Sequence, residues 1–205
     1  MNRPLSEGNR RSGQGKLLLL ALVFFGPLAA AWLYYAGLDE GALPGDRANR
    51  GVLIRPARPI AATDLRTPDG EALGAQALRG RWTLVYLDRG QCEQACEDHL
   101  YELRQVDTAL GRESTRVARL YVSDEAPDRD RRDYLQTYHP RLQVAMSPAD
   151  GAFRGYFESL PAAAEGAHIF VIDPLGNLMM TYGPDQPAKD VYKDLKRLLR
   201  ISRIG

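Results

Sequence analysis

The chain holds two cysteines, Cys92 and Cys96, four residues apart, where a short apolar run gives way to a segment of helical periodicity. Thiols at that separation on a helix share one face, with roughly 5 to 6 Å between their Cβ atoms. They can be oxidised as a pair, or can hold one soft metal ion as a pair. A helix start favours thiolate over thiol, because unpaired backbone N–H groups and the helix dipole stabilise the anion, so Cys92 is expected to be the more reactive sulfur. The plainer alternative is a disulfide that only stabilises the fold. Closing a loop of about five residues is worth only roughly 2 kcal/mol in the chain-entropy model, which makes such a bridge a weak staple.

A soft cation such as Cu(I) prefers thiolate ligands, and an imidazole can complete a three-coordinate site. The chain has three histidines. His99 lies three residues past Cys96 and projects to the side of the cysteine helix. His139 ends a charged helix beside Pro140 and reads as exposed. His168 immediately precedes a core strand, in a loop that the order of strands and helices turns toward the start of the cysteine helix. His168 is therefore the first choice for a third ligand.

The elements that must position these residues follow from the apolar pattern. Trp82, Thr83, Leu84, Val85, Tyr86 and Leu87 form a run suited to a buried strand. From Cys92 onward, Cys96, Leu100, Leu103, Val106 and Leu110 recur at three- and four-residue steps, and Gly111 offers a stop. A second strand is expected over 117–122, a charged solvated helix over 128–138 ended by His139 and Pro140, and a short strand over 142–146. Residues 169–173 read as a third core strand, turned by Pro174, Leu175, Gly176 and Asn177 into a strand over 178–182. Pro187 suits the start of a last helix whose apolar face is Val191, Leu195, Leu198 and Leu199. Strand, cysteine helix, strand, helix, strand, strand, helix is the order of a thioredoxin-like α/β domain, a central mixed sheet flanked by helices.

Ahead of this domain, residues 17–38 contain no charged side chain, and about 20 apolar residues suffice to cross a hydrocarbon core of about 30 Å. They read as one transmembrane helix, with Trp32, Tyr34 and Tyr35 near its far boundary. Arg3, Arg10, Arg11 and Lys16 precede it and Asp39 and Glu40 follow, a bias that keeps the N-terminus in the cytoplasm and exports the rest. A cleaved signal peptide ending at Ala29, Ala30 and Ala31 is the competing reading, disfavoured because the apolar run continues past them. The expected organisation is a cytoplasmic N-terminus (1–16), the transmembrane helix (17–38), a Gly-, Asp-, Ala- and Pro-rich linker (39–51) and the thioredoxin-like domain (52–205). The protein is thereby placed in the inner membrane as a single-pass chain with a periplasmic domain. Residues 1–38 carry a net charge of +3, which leaves −2 on the remainder of a chain whose formal total is +1. A mildly acidic exported domain gives no case for nucleic acid. There is no Gly-rich phosphate loop and no zinc-like repeat of cysteine pairs.

Taken together, the motifs resemble the Sco/SenC family of membrane-anchored proteins that help assemble the copper centre of cytochrome c oxidase. The resemblance runs over roughly residues 55–199. It rests on Asp69-Gly70, on Leu78-Arg79-Gly80-Arg81-Trp82, on Cys92-Glu93-Gln94-Ala95-Cys96, on Tyr138-His139-Pro140 and on Ile172-Asp173-Pro174-Leu175-Gly176. It implies copper held by Cys92, Cys96 and His168, and an oxidase subunit or another assembly factor as partner. The chain departs from the family pattern in three places. Glu93 stands where a proline usually follows the first cysteine, and Leu87-Asp88-Arg89-Gly90-Gln91 replaces an aromatic-rich segment. Glu165 occupies the spacing at which the family's histidine usually lies. Two other functions stay open at this stage: a thiol-disulfide reductase in which Cys92 attacks and Cys96 resolves, and a non-catalytic assembly scaffold.

Overall fold

Residues 82–87 form a strand because six consecutive apolar or β-branched side chains bury both faces of a central ribbon, the pattern of strands covered on either side. The computed structural model describes residues 8–36, 49–88, 92, 94–161 and 169–205. It divides into two units, 1–48 and 49–205.

In the first unit a single helix, α1 (Gly8–Ala36), contains the stretch Gly15–Tyr34, long and apolar enough to cross a membrane. Leu17 through Leu20, Phe24, Phe25 and Trp32 are exposed along it, as lipid-facing side chains are. It is a candidate transmembrane span.

The second unit is built on β1 (Val52–Pro59), β2 (Trp82–Leu87), α2 (Gln94–Leu110), β3 (Val117–Ser123), α3 (Arg129–Tyr138), β4 (Leu142–Met146), α4 (Ala152–Glu158), β5 (Ile169–Ile172), β6 (Asn177–Tyr182) and α5 (Ala188–Ile201). The strands make one mixed sheet in the order β1-β6-β5-β2-β3-β4. β2, β3 and β4 run parallel, while β5 and β6 are antiparallel to their neighbours. This is the thioredoxin-like arrangement expected from the sequence.

Alternation along the strands feeds two cores. Trp82, Leu84 and Tyr86 of β2 pack with Leu100, Leu103 and Val106 of α2 and with Val191, Leu195 and Leu199 of α5. Val85 and Leu87 face the other way, with Phe153 and Phe157 of α4, Leu120 and Phe170. β2 thus lies between two apolar layers, and its C-terminal end is held in place from both sides.

Three details differ from expectation. Cys92 lies before α2, which begins at Gln94; only Cys96 is helical. β1 and α4 were not anticipated. Asp64 caps the start of α4 from a distance, its carboxylate accepting from the N–H groups of Ala152 (2.9 Å) and Phe153 (3.0 Å) and from Ser147 Oγ (3.1 Å). The β5–β6 hairpin is closed by Asp173, whose Oδ1 accepts from the N–H groups of Leu175 and Asn177. Gly176 takes φ +89° in this turn, a conformation that costs other residues a Cβ clash.

Candidate metal and redox site

The site forms where β2 ends. The Asp88 N–H donates to the Val122 carbonyl at 2.9 Å, so the pairing of β2 with β3 continues one residue past the strand and fixes the Asp88 backbone. Asp88 is a buried carboxylate, 8% exposed. The Tyr121 hydroxyl, from the neighbouring strand, donates to its Oδ2 at 2.7 Å. Four residues on, Cys92 is bonded to Cys96 as a disulfide, with 5.1 Å between their Cα atoms. The sulfurs converge, as the spacing predicts, and both are buried: Cys92 is 9% and Cys96 5% exposed. One donor atom from each of Asp88, Cys92 and Cys96 lies within 4.8 Å of the others.

Aromatic and cationic side chains surround this cluster. Tyr86 stacks on Tyr121, with centroids 6.2 Å apart, and lies 5.7 Å from the His99 ring. Burial pushes the Tyr121 hydroxyl well above its ordinary range, and its bond to Asp88 and that carboxylate's charge push it further, against the pull of Arg131. Burial raises Tyr86 likewise, helped by the charge of Asp88. Both phenols are therefore donors at any physiological pH. Arg131 of α3 donates to the Cys92 carbonyl and, at 2.5 Å, to Glu97 Oε1 in the first turn of α2. Its guanidinium also lies over the Tyr134 ring at 5.5 Å. The segment that carries Cys92 is thereby tied to α3 by one side chain.

The histidines fall in three different places. His99 is half-buried on α2, its Nδ1 3.8 Å from Glu102 Oε2. His139 is buried, 2% exposed, which corrects the expectation of an exposed residue; it tucks against the Tyr134 ring at 5.8 Å. Among the described residues neither imidazole belongs to the donor cluster. His168, the sequence's choice for a ligand, lies outside the described residues, as do Glu93 and Glu165. The site residue that sequence reasoning missed is Asp88. Its signal was present, an acidic residue ending a fully apolar strand just before the first cysteine.

Comparison with known proteins supplies the family. Residues 82–202 match the family model described as "Transmembrane-like, thioredoxin-like, C-terminal domain". The chain belongs to that family. Residues 7–37 match the companion "Transmembrane-like, N-terminal domain". A protein of Stutzerimonas stutzeri named "Putative copper-binding protein" is 30% identical over 136 residues, 66% of this chain and 60% of that protein. The chain thus spans about three-fifths of the length of the curated relative it matches. Among solved structures, yeast Sco1 with copper bound is 17% identical, covering 69% of this chain and 92% of that one at a TM-score of 0.56. Apo Sco1 from Thermus thermophilus is 21% identical, covering 73% and 96% at a TM-score of 0.55. ScoI of Arabidopsis thaliana with copper bound is 19% identical, covering 69% and 98% at a TM-score of 0.53. The fold is that of the Sco proteins, as the resemblance in the sequence implies.

Proposed function

We propose that this protein is a membrane-anchored, Sco-like assembly factor that carries copper to cytochrome c oxidase. In this reading α1 anchors the chain in the inner membrane with its N-terminus in the cytoplasm, and the thioredoxin-like domain works in the periplasm. An oxidase subunit or another assembly factor receives the cargo. The observation that carries the proposal is the convergence of the Cys92 and Cys96 sulfurs, beside a carboxylate, in a Sco-type fold. Two thiolates are the donors a soft copper ion prefers, and the copper-binding name of the Stutzerimonas relative points the same way. His168 is the imidazole assigned to complete the set. A disulfide does not offer these ligands, so loading follows reduction of the Cys92–Cys96 bond.

Copper titration of the reduced full-length chain in detergent, against a Cys92→Ala/Cys96→Ala variant, tests this. Binding to the wild type that is tighter than to the variant is expected; equal binding would sink the proposal.

The disulfide itself favours one second reading, a thiol-disulfide reductase. Starting from the reduced pair, the Cys92 thiolate attacks a partner's disulfide and expels one partner thiolate. Cys96 then attacks the mixed disulfide, expels the second thiolate and leaves Cys92 bonded to Cys96, so the two electrons gained by the partner are those lost by the pair. A reduced protein that leaves disulfide substrates untouched removes this reading and leaves the first intact.

A further inference from the structure

We propose that Asp88 is a further protein ligand of the cysteine site, adding a carboxylate to the two thiolates and the imidazole assigned to it, so that the site takes the divalent cation Zn(II) as well as Cu(I). This rests on the metal-carrier reading and specifies which ions the same site accepts.

Three observations converge on Asp88. It is buried at the end of a central strand, where an ionised carboxylate is least well solvated and gains most from a cation. An oxygen of its carboxylate is within 4.8 Å of both sulfurs, a spread that one ion can bridge with small side-chain adjustments once the disulfide is opened. It is also held: its N–H is bonded to the Val122 carbonyl, and its Oδ2 accepts from Tyr121. A carboxylate has two oxygens and about four lone-pair positions, so the Tyr121 bond orients the group and leaves capacity for a metal. Ligating carboxylates are commonly supported by such an outer hydrogen bond.

Charge decides the class of ion. Two thiolates and one carboxylate carry three negative charges. Cu(I) offsets one of them in a largely buried site, while a divalent cation offsets two; the Arg131 guanidinium beside the Cys92 carbonyl adds equally to either case. Sulfur together with carboxylate oxygen is a donor set that Zn(II) accepts, whereas Cu(I) is satisfied by the thiolates and gains little from a hard oxygen. Loading requires the disulfide to take up two electrons and two protons. In the test below a phosphine supplies the electrons and becomes phosphine oxide, taking its oxygen from water. Binding then releases both thiol protons to solvent.

The experiment measures Zn(II) and Cu(I) affinities of the phosphine-reduced full-length chain in detergent by competition with chromophoric chelators. Wild type is compared with Asp88→Asn, Tyr121→Phe and Cys92→Ser/Cys96→Ser, each checked for cooperative melting. Asp88→Asn is expected to weaken Zn(II) by at least about tenfold and Tyr121→Phe by about tenfold, while Cu(I) affinity stays within about threefold. Unchanged Zn(II) affinity in both variants overturns the assignment, and so does an equal loss for both ions, which marks a disturbed cysteine geometry. Should Asp88→Asn fail to fold, Tyr121→Phe decides alone by the same criteria. Loss of Cu(I) selectivity over the double serine variant would count against the copper-carrier proposal, and the Zn(II) arm separates that outcome from failure of the Asp88 assignment.

Discussion

Reducing the Cys92–Cys96 bond should weaken the domain only slightly. The bridge joins residues four apart, so it closes a loop of about five residues and restrains the unfolded chain by roughly 2 kcal/mol. For a unit the size of residues 49–205, that corresponds to a fall in melting temperature of roughly 4–8 °C. What holds α2 in place is its apolar face: Leu100, Leu103, Val106 and Leu110 are all buried, and truncating one such leucine to alanine costs about 2–5 kcal/mol. Leu100→Ala in the oxidised protein should therefore destabilise as much as reduction does, or more. Calorimetry of the full chain in detergent, with and without phosphine, and of Leu100→Ala reads both effects. A fall of more than about 15 °C on reduction, or loss of the cooperative transition, would refute the reasoning. The bridge would then be a structural staple, and neither metal carriage nor thiol exchange could use it reversibly.

Arg131→Gln removes the donor to the Cys92 carbonyl and the ion pair with Glu97; with the cation gone from beside the site, alkylation of Cys92 in the reduced protein at neutral pH should slow severalfold, as timed mass spectrometry would show. Burial, with the charges of Arg119 and Arg104, holds the His139 imidazole below its ordinary range despite an opposing pull from Glu97. The unfolded chain then takes up a proton near pH 6.5 that the folded one refuses. Stability should therefore fall as pH drops from about 7 through 6.5 toward the lowered value, by at most about 1.4 kcal/mol per pH unit. Urea titrations of His139→Leu should show a flatter profile over that window.

The parts of this fold that could be read from sequence are those whose local pattern and tertiary role agree. β2 and β4 fall on the residues expected, because a continuous apolar run or a short alternating one has few other uses. α4 escaped notice for the opposite reason. Its seven residues include Gly155, too few and too weak in propensity to signal a helix, and its cap, Asp64, lies 88 residues away in sequence. β1 contains Pro56 and ends at Pro59, residues tolerated because β1 is an edge strand whose pairing with β6 is irregular between Leu53 and Arg58. At the site, sequence spacing brought the two sulfurs together, but it placed Cys92 inside a helix that begins two residues later. Asp88 was visible as an acidic residue ending an apolar strand just before Cys92, but nothing local tied it to Tyr121, whose hydroxyl reaches it from the neighbouring strand. His139 sits at the end of a charged helix, yet it is buried, with the Tyr134 ring 5.8 Å away, a packing that composition does not reveal.

The two sulfurs are not mechanically equivalent. Cys96 rides on a helix pinned through its whole apolar face, while Cys92 stands ahead of that helix, tethered from outside by Arg131. Both are buried in one core cluster, but only Cys96 is held by the packing of a whole helix face. Under the carrier reading, an acceptor's incoming donor would displace Cys92 first while Cys96 keeps hold. Transfer would then run through a shared, half-released ion, without free metal reaching the solvent.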